Sequence, residues 1–267
     1  MIINSIVWNV DPEIFRIGSF AIRWYGLFFA LSFIIGYYIM LKIFKKEGIP
    51  EKLLDKLTSY MVIATIVGAR LGHCLFYEPA YFLSNPIEIL KIWEGGLASH
   101  GAGIGVVAAL LIFSSQNKKP FLWVIDRIVI VVALAGFFIR MGNLMNSEII
   151  GTVSDLPWAF VFIKSYDPNL AIDPRHPAQI YEALSYLLIF IYLIREYYKK
   201  STPPKNGFLF AMFLILVFSA RFFIEFFKIP QVGFEENMIL NMGQLLSIPF
   251  VVSGFVLLYF SIKTKKE

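Results

Sequence analysis

Seven runs of about 20 predominantly apolar residues dominate this chain, and they limit what it can fold into. A hydrocarbon core about 30 Å thick offers no partner to an open backbone N–H or C=O, so each run must close its own hydrogen bonds as a helix. The runs fall at approximately 18–44, 58–76, 97–115, 121–139, 178–194, 207–226 and 240–262. The expected fold class is an all-α integral membrane protein with about seven transmembrane helices. It forms one polytopic domain over residues 1–267, with a small loop segment near 140–177 that is either a lid or a folded head. Composition agrees: 58% apolar against 16% charged, where soluble domains run about 45–50% and about 25%. A disordered chain and a secreted disulfide scaffold are excluded, since Cys74 stands alone. The first 17 residues lack a basic n-region and a small-residue cleavage site, so the first run is expected to stay as a membrane helix.

The basic residues give an orientation. Lys42, Lys45, Lys46, Lys52, Lys56, Lys118, Lys119, Arg195, Lys199, Lys200, Lys205, Lys263, Lys265 and Lys266 fall in loops on one side, 14 of the chain's 24. By the positive-inside rule the N-terminus is expected outside and the C-terminus in the cytoplasm. The net charge of +5 reflects this topology and gives no support to a nucleic-acid partner.

With that orientation, the costly residues of nearly every span gather at its outer end. They are Arg23 and Tyr25, Arg70 and Tyr77, His100, Arg140 and Asn143, His176, Gln179 and Glu182, Arg221 and Glu225, and Gln244. Snorkelling anchors would fall at either end; convergence at one depth points to a functional site, the default reading of intramembrane ionisable groups. Asp126 and Arg127 lie at the opposite end and read as structural.

Three segments carry the chemistry. Gly101 and Gly105 have the small-xxx-small spacing that lets helices approach closely, and His100 beside them is a candidate general base, imidazole being the side chain whose reference pKa lies nearest neutral pH. Arg140-Met141-Gly142-Asn143, continuing through Asn146, Glu148 and Gly151, follows the fourth span as a hydrogen-bonding lattice. There Gly142 and Gly151 are expected to take tight or left-handed backbone. Arg221 and Glu225 stand i, i+4 on one helix face, read either as a structural ion pair or, with Arg140 at the same depth, as part of an anion site. Two arginines at one depth form a cradle for an anionic headgroup. No His, Cys and carboxylate set has metal-ligand spacing, and His73-Cys74 lies in an apolar run. An anion transporter or a phospholipid-binding protein is the alternative class; against conduction, the inner halves of the spans are almost wholly apolar and no inverted repeat is evident.

Taken in order, these residues resemble the prolipoprotein diacylglyceryl transferase family over nearly the whole chain. The resemblance runs through Arg23-Trp24-Tyr25-Gly26, Gly68-Ala69-Arg70-Leu71-Gly72 with Phe76-Tyr77, and His100-Gly101. It continues through Arg140 to Gly151, His176-Pro177-Ala178-Gln179-Ile180-Tyr181-Glu182, Arg221 to Phe226, and Gly243-Gln244 to Pro249. Ile139, Leu144-Met145 and Lys228 depart from the family pattern, read here as packing and a peripheral charge. The resemblance implies a bacterial inner-membrane transferase with its active site toward the outer face. It moves the diacylglyceryl group of phosphatidylglycerol to the lipobox cysteine thiol of a preprolipoprotein and releases glycerol phosphate, with no metal or redox cofactor.

Under that reading Arg140 and Arg221 hold the phosphate, and Glu225 and Glu148 orient them. Asn143 and Gly151 hold the loop, and Arg70 and Tyr77 join the lipid-binding set. His100 is the favoured base, since the acceptor thiol has a reference pKa of about 8.5. Tyr25, a phenol of about 10, is second. The aromatic residues Trp158, Phe160 and Phe162 of the loop segment suggest that it rests at the membrane interface.

Overall fold

A computed structural model of the chain describes residues 5–18, 20–230, 235 and 238–263. The helices are α1 (Trp24–Lys46), α2 (Glu51–Phe76), the short α3 (Pro79–Ser84), α4 (Ser99–Gln116), α5 (Phe121–Met145), α6 (Ala178–Tyr198), α7 (Phe208–Ile224) and α8 (Met242–Lys263). Among the described residues, all but α3 are long and apolar enough to cross a membrane, seven in total. Each expected span therefore has its helix, with three informative shifts. Residues 13–17 and 20–23 are extended, so α1 starts at Trp24. The helix α2 begins at Glu51, because Lys52, Asp55 and Lys56 sit on it. The helix α5 continues to Met145, so Arg140 and Asn143 stand on its last two turns instead of following it.

Among the described residues, four short strands accompany the helices: β1 (Ile6–Trp8), β2 (Glu13–Ile17), β3 (Phe20–Arg23) and β4 (Phe160–Phe162). β2 and β3 form an antiparallel hairpin leading directly into α1, and β1 pairs in parallel with β4. The chain divides into two compact units, one of residues 1–38 and 126–267, the other of residues 39–125.

In the first unit, the segment after α5 is a folded head. Leu144, Ile150, Phe160 and Phe162 form a buried cluster with Trp8, Met141, Leu170, Ile180 and Ile229 packed against it. The Trp8 indole N–H donates to the Leu144 carbonyl at 3.0 Å. Phe160 and Phe162 thus lie inside the protein, not at the membrane interface, because pairing with β1 turns them inward; Trp158 stays half exposed. Along the helices, Phe218 of α7 stacks on Phe250 of α8 at 4.3 Å, and a Cβ on Gly136 of α5 would stand 2.8 Å from the ring of Tyr186 of α6. Asp126 starts α7 from a distance: its buried carboxylate accepts the backbone N–H of Gly207 at 2.7 Å and of Phe210 at 2.8 Å. That is helix capping by another helix, the structural role expected of it.

The second unit is built on the crossing of α2 and α4. Gly68 and Gly72 of α2 meet Gly101 and Gly105 of α4; a Cβ on Gly72 would lie 2.6 Å from the Gly101 Cα, and one on Gly105 would lie 2.6 Å from the Ala64 carbonyl. The small-residue spacing read from α4 therefore has its counterpart on α2, and the two backbones touch. Below that contact, Ile43, Phe44, Leu54, Leu57, Leu110 and Phe113 are buried.

Candidate functional site

In the first unit, the last turns of α5 carry the centre of the site. Arg140 is held on two sides: its Nε is 2.9 Å from Glu182 Oε2 of α6, and its Nη1 donates to Asn143 Oδ1 at 3.0 Å. The hydroxyl of buried Tyr186 is a third partner. Asn143, one turn along α5, passes the constraint on, donating through Nδ2 to Glu148 Oε1 at 2.7 Å, while Asn146 donates to the same oxygen at 3.2 Å. Gln179 of α6 donates to the Glu148 backbone carbonyl at 2.6 Å. The expected lattice is present, and Glu148 orients Arg140 through Asn143. The direct carboxylate partner of Arg140 is Glu182.

The glycines of this segment act by size. Neither Gly142 nor Gly151 has positive φ; the left-handed residues are Ser147, at φ 52°, and Ile149, at φ 58°. Of the two expected uses, tight or left-handed backbone, neither glycine takes the left-handed one; both are needed for close approach. A Cβ on Gly142 would stand 2.8 Å from the Tyr25 ring, and one on Gly151 would meet His176 and the Phe227 carbonyl at 2.6 and 2.7 Å. Tyr25 of α1 is thereby brought close enough to Arg140 and Glu148 to feel their charges. Gly151 is the middle of three extended segments: its N–H donates to the His176 carbonyl at 3.1 Å, and the Thr152 N–H to the Phe227 carbonyl at 2.9 Å.

Of the two readings of Arg221 and Glu225, the structural ion pair is not made. After Ile224 the chain tightens into a 3₁₀ turn, Glu225–Phe227, where residues three apart eclipse. Glu225 therefore lies over Lys228, whose Nζ is 3.0 Å from Glu225 Oε2 and 3.0 Å from Glu182 Oε1. Lys228 is 5% exposed and Glu182 is fully buried, so the reading of Lys228 as a peripheral charge is also corrected. Arg140, Glu182, Lys228 and Glu225 form one buried chain of alternating charge, of the kind whose broken links cost about 3–5 kcal/mol. Arg221, half-buried, stands outside it, without a hydrogen bond or ion pair to any described residue; it lies close enough to Tyr186 for their charges to interact. Beside Glu148 opens a cavity of about 640 Å³, walled in part by Glu13 and Arg23 of the hairpin and by Lys164 and Tyr166 of the head.

Arg70, Tyr77 and His100 belong to the second unit. Arg70 is 5% exposed and its guanidinium is committed: Nε donates to the Ile89 carbonyl at 2.9 Å, Nη2 to Glu88 at 2.5 Å, and Nη1 to Gly95 and Gly96 at 2.6 and 3.3 Å. Gly95 and Gly96, at φ +91° and +69°, take the left-handed backbone that turns these carbonyls toward it. With its face on the Phe82 ring at 5.0 Å, Arg70 organises the 78–96 connection. Tyr77, 64% exposed, stacks on His73 at 5.7 Å. His100 stands exposed in the first turn of α4, and no described residue bonds its ring nitrogens.

Sequence reasoning passed over Tyr186, and named Glu182 and Lys228 without giving either a place in the site. Their signal was present: a carboxylate inside a span needs a cation within reach, and Glu182 lies one helical turn from Tyr186.

Comparisons with known proteins agree with this geometry. A family model described as prolipoprotein diacylglyceryl transferase matches residues 12–260. The chain is 50% identical to the phosphatidylglycerol–prolipoprotein diacylglyceryl transferase of Tolumonas auensis, covering 97% of this chain and 99% of that one. It is 46% identical to the protein of the same name from Chloroherpeton thalassium (97% and 96% covered) and 44% identical to that from Porphyromonas gingivalis (97% and 95%). A seven-span helical membrane protein matched over its length in this way, with the signature arginine locked into a buried polar lattice, belongs to the prolipoprotein diacylglyceryl transferase family.

Proposed function

We propose that this chain transfers the diacylglyceryl group of phosphatidylglycerol to the lipobox cysteine thiol of a preprolipoprotein, at the outer face of a bacterial inner membrane. The observation that carries the reading is the pair of guanidinium groups in α5 and α7. Arg140 is fixed by Glu182, Asn143 and Tyr186, while Arg221 has no ion-pair partner among the described residues. A cation left unpaired in a membrane helix is costly unless an anion completes it, and a phosphodiester supplies that anion with oxygens matched to a guanidinium fork.

The chemistry follows from these charges. The thiolate sulfur attacks the glycerol carbon that bears the phosphate; a C–S bond forms, the C–O bond breaks, and glycerol phosphate leaves with the electron pair. The leaving phosphate gains a negative charge, which preorganised guanidinium groups stabilise best where water is scarce. The thiol proton passes to a base. His100, exposed and with ring nitrogens that no described residue bonds, is assigned that role, with Tyr25 the second candidate. Asn143, Glu148 and Gly151 fix the loop and the lipid headgroup, Tyr77 contacts lipid, and Arg70 serves by holding the 78–96 connection. Glu225, expected to orient an arginine, acts at one remove from the lipid as the counter-charge of Lys228.

The test of the base is the pH dependence of transfer to a lipobox peptide. His100→Gln is expected to abolish turnover, or to remove the inflection near neutral pH. Full turnover with an unchanged profile would refute the assignment.

A further inference from the structure

Resting on the reading of Arg221 as a ligand of the lipid phosphate, we infer that Lys228 is a positioning residue that keeps Glu225 away from Arg221 and so leaves that guanidinium free for substrate. The helix itself offers the competing arrangement. Arg221 and Glu225 stand i, i+4, the spacing at which an α-helix pairs opposite charges. Two features draw the carboxylate off. The 3₁₀ turn at Glu225–Phe227 eclipses Glu225 with Lys228, whose ammonium lies 3.0 Å from Glu225 Oε2. Gly243, in the first turn of α8, packs against the same carboxylate: a Cβ there would be 2.6 Å from Glu225 Cδ. Lys228 is anchored in turn by Glu182 at 3.0 Å and by its backbone, since Gly151 and Lys228 form an antiparallel bridge. One ammonium therefore serves two carboxylates. Glu182 is left with one oxygen for Arg140, and among the described residues Arg221 is left with none. Removing the Lys228 charge returns Glu225 to its helical neighbour and closes the phosphate site from within.

This predicts a coupling that a purely structural lysine would not produce. The measurement is the KM for phosphatidylglycerol in mixed micelles, at fixed lipobox peptide, with folding checked by thermal unfolding. In the wild type, Arg221→Gln raises KM about tenfold or more, the value of charge-assisted bonds to a phosphate. In Lys228→Met the KM is already raised by a similar factor, and adding Arg221→Gln changes it less than about twofold. In Glu225→Gln/Lys228→Met, which conserves net charge, KM returns toward the wild-type value and the dependence on Arg221 reappears. Lys228→Arg keeps the diversion and the low KM.

If the wild type transfers nothing, or its KM ignores Arg221, the functional reading fails. If Arg221→Gln costs the same factor with and without Lys228, the positioning inference fails alone. Should Lys228→Met not fold, the charge-conserving double variant decides: folded with a raised KM, it overturns the inference; folded with a low, Arg221-dependent KM, it supports it.

Discussion

Replacing Arg140 by lysine separates charge from geometry. The arginine uses its Nε on Glu182 at 2.9 Å and its Nη1 on Asn143 at 3.0 Å, with Tyr186 as a third partner. A lysine ammonium reaching Glu182 preserves the buried ion pair, so the loss of about 3–5 kcal/mol expected on stranding that carboxylate is avoided and the protein folds. The single nitrogen cannot also hold Asn143 and present a second donor to a phosphate. Each forfeited bond to a charged group is worth about 1.5–3 kcal/mol, and only the phosphate bond enters the transition state directly. Transfer by Arg140→Lys should therefore drop about ten- to a hundredfold in kcat/KM, with thermal stability in detergent near that of the wild type. Arg140→Ala should lose both activity and stability. Peptide mass against phosphatidylglycerol concentration reads the first quantity, and a melting curve the second. Arg140→Lys within about threefold of wild-type kcat/KM would mean that a point charge suffices, and that the fixed fork is not what the site uses.

Gly101→Leu should destabilise by at least about 3 kcal/mol, because its Cβ would strike the Gly72 backbone at 2.6 Å; an unchanged melting temperature would show that α2 and α4 do not touch there. Asp126→Ala removes the acceptor of two N–H groups at the start of α7 and should cost about 1–2 kcal/mol, while activity per folded molecule is kept. Burial lowers the pKa of His176, so the unfolded chain takes up its proton first. The stability from keeping this ring neutral is full above about pH 6.5 and is lost as pH falls through the lower folded value. Melting temperature should therefore fall less on acidification in His176→Gln than in the wild type, and identical slopes would count against the argument.

The spans were legible because lipid imposes one rule on the backbone, and a run such as Val129–Phe138 has no other reading. The lattice around Arg140 was legible in composition, since asparagines and a glutamate near an intramembrane arginine must find one another. What escaped were contacts fixed by long-range packing. The pairing of β1 with β4 joins residues 6–8 to residues 160–162, and no local pattern in either segment announces the other. The spacing of Arg221 and Glu225 left the ion pair open because i, i+4 logic assumes an α-helix to the end, whereas α7 tightens by one turn where Glu225 finds Lys228. Arg70 was grouped with the lipid ligands by depth alone; its partners are carbonyls 18 to 26 residues ahead, visible only once the connection is folded.

The central claim is that this arginine-lined site cleaves the bond between the diacylglycerol carbon and the phosphate oxygen. The direct measurement follows both products, using purified protein, phosphatidylglycerol labelled in its headgroup glycerol, and a lipobox peptide. The account predicts a peptide mass gain of one diacylglyceryl group, matched one to one by labelled glycerol phosphate, with both lost in Arg140→Ala. Release of labelled glycerol without phosphate would place the cleavage on the other side of the phosphorus, and no mass gain with any glycerophospholipid would contradict the transferase reading altogether.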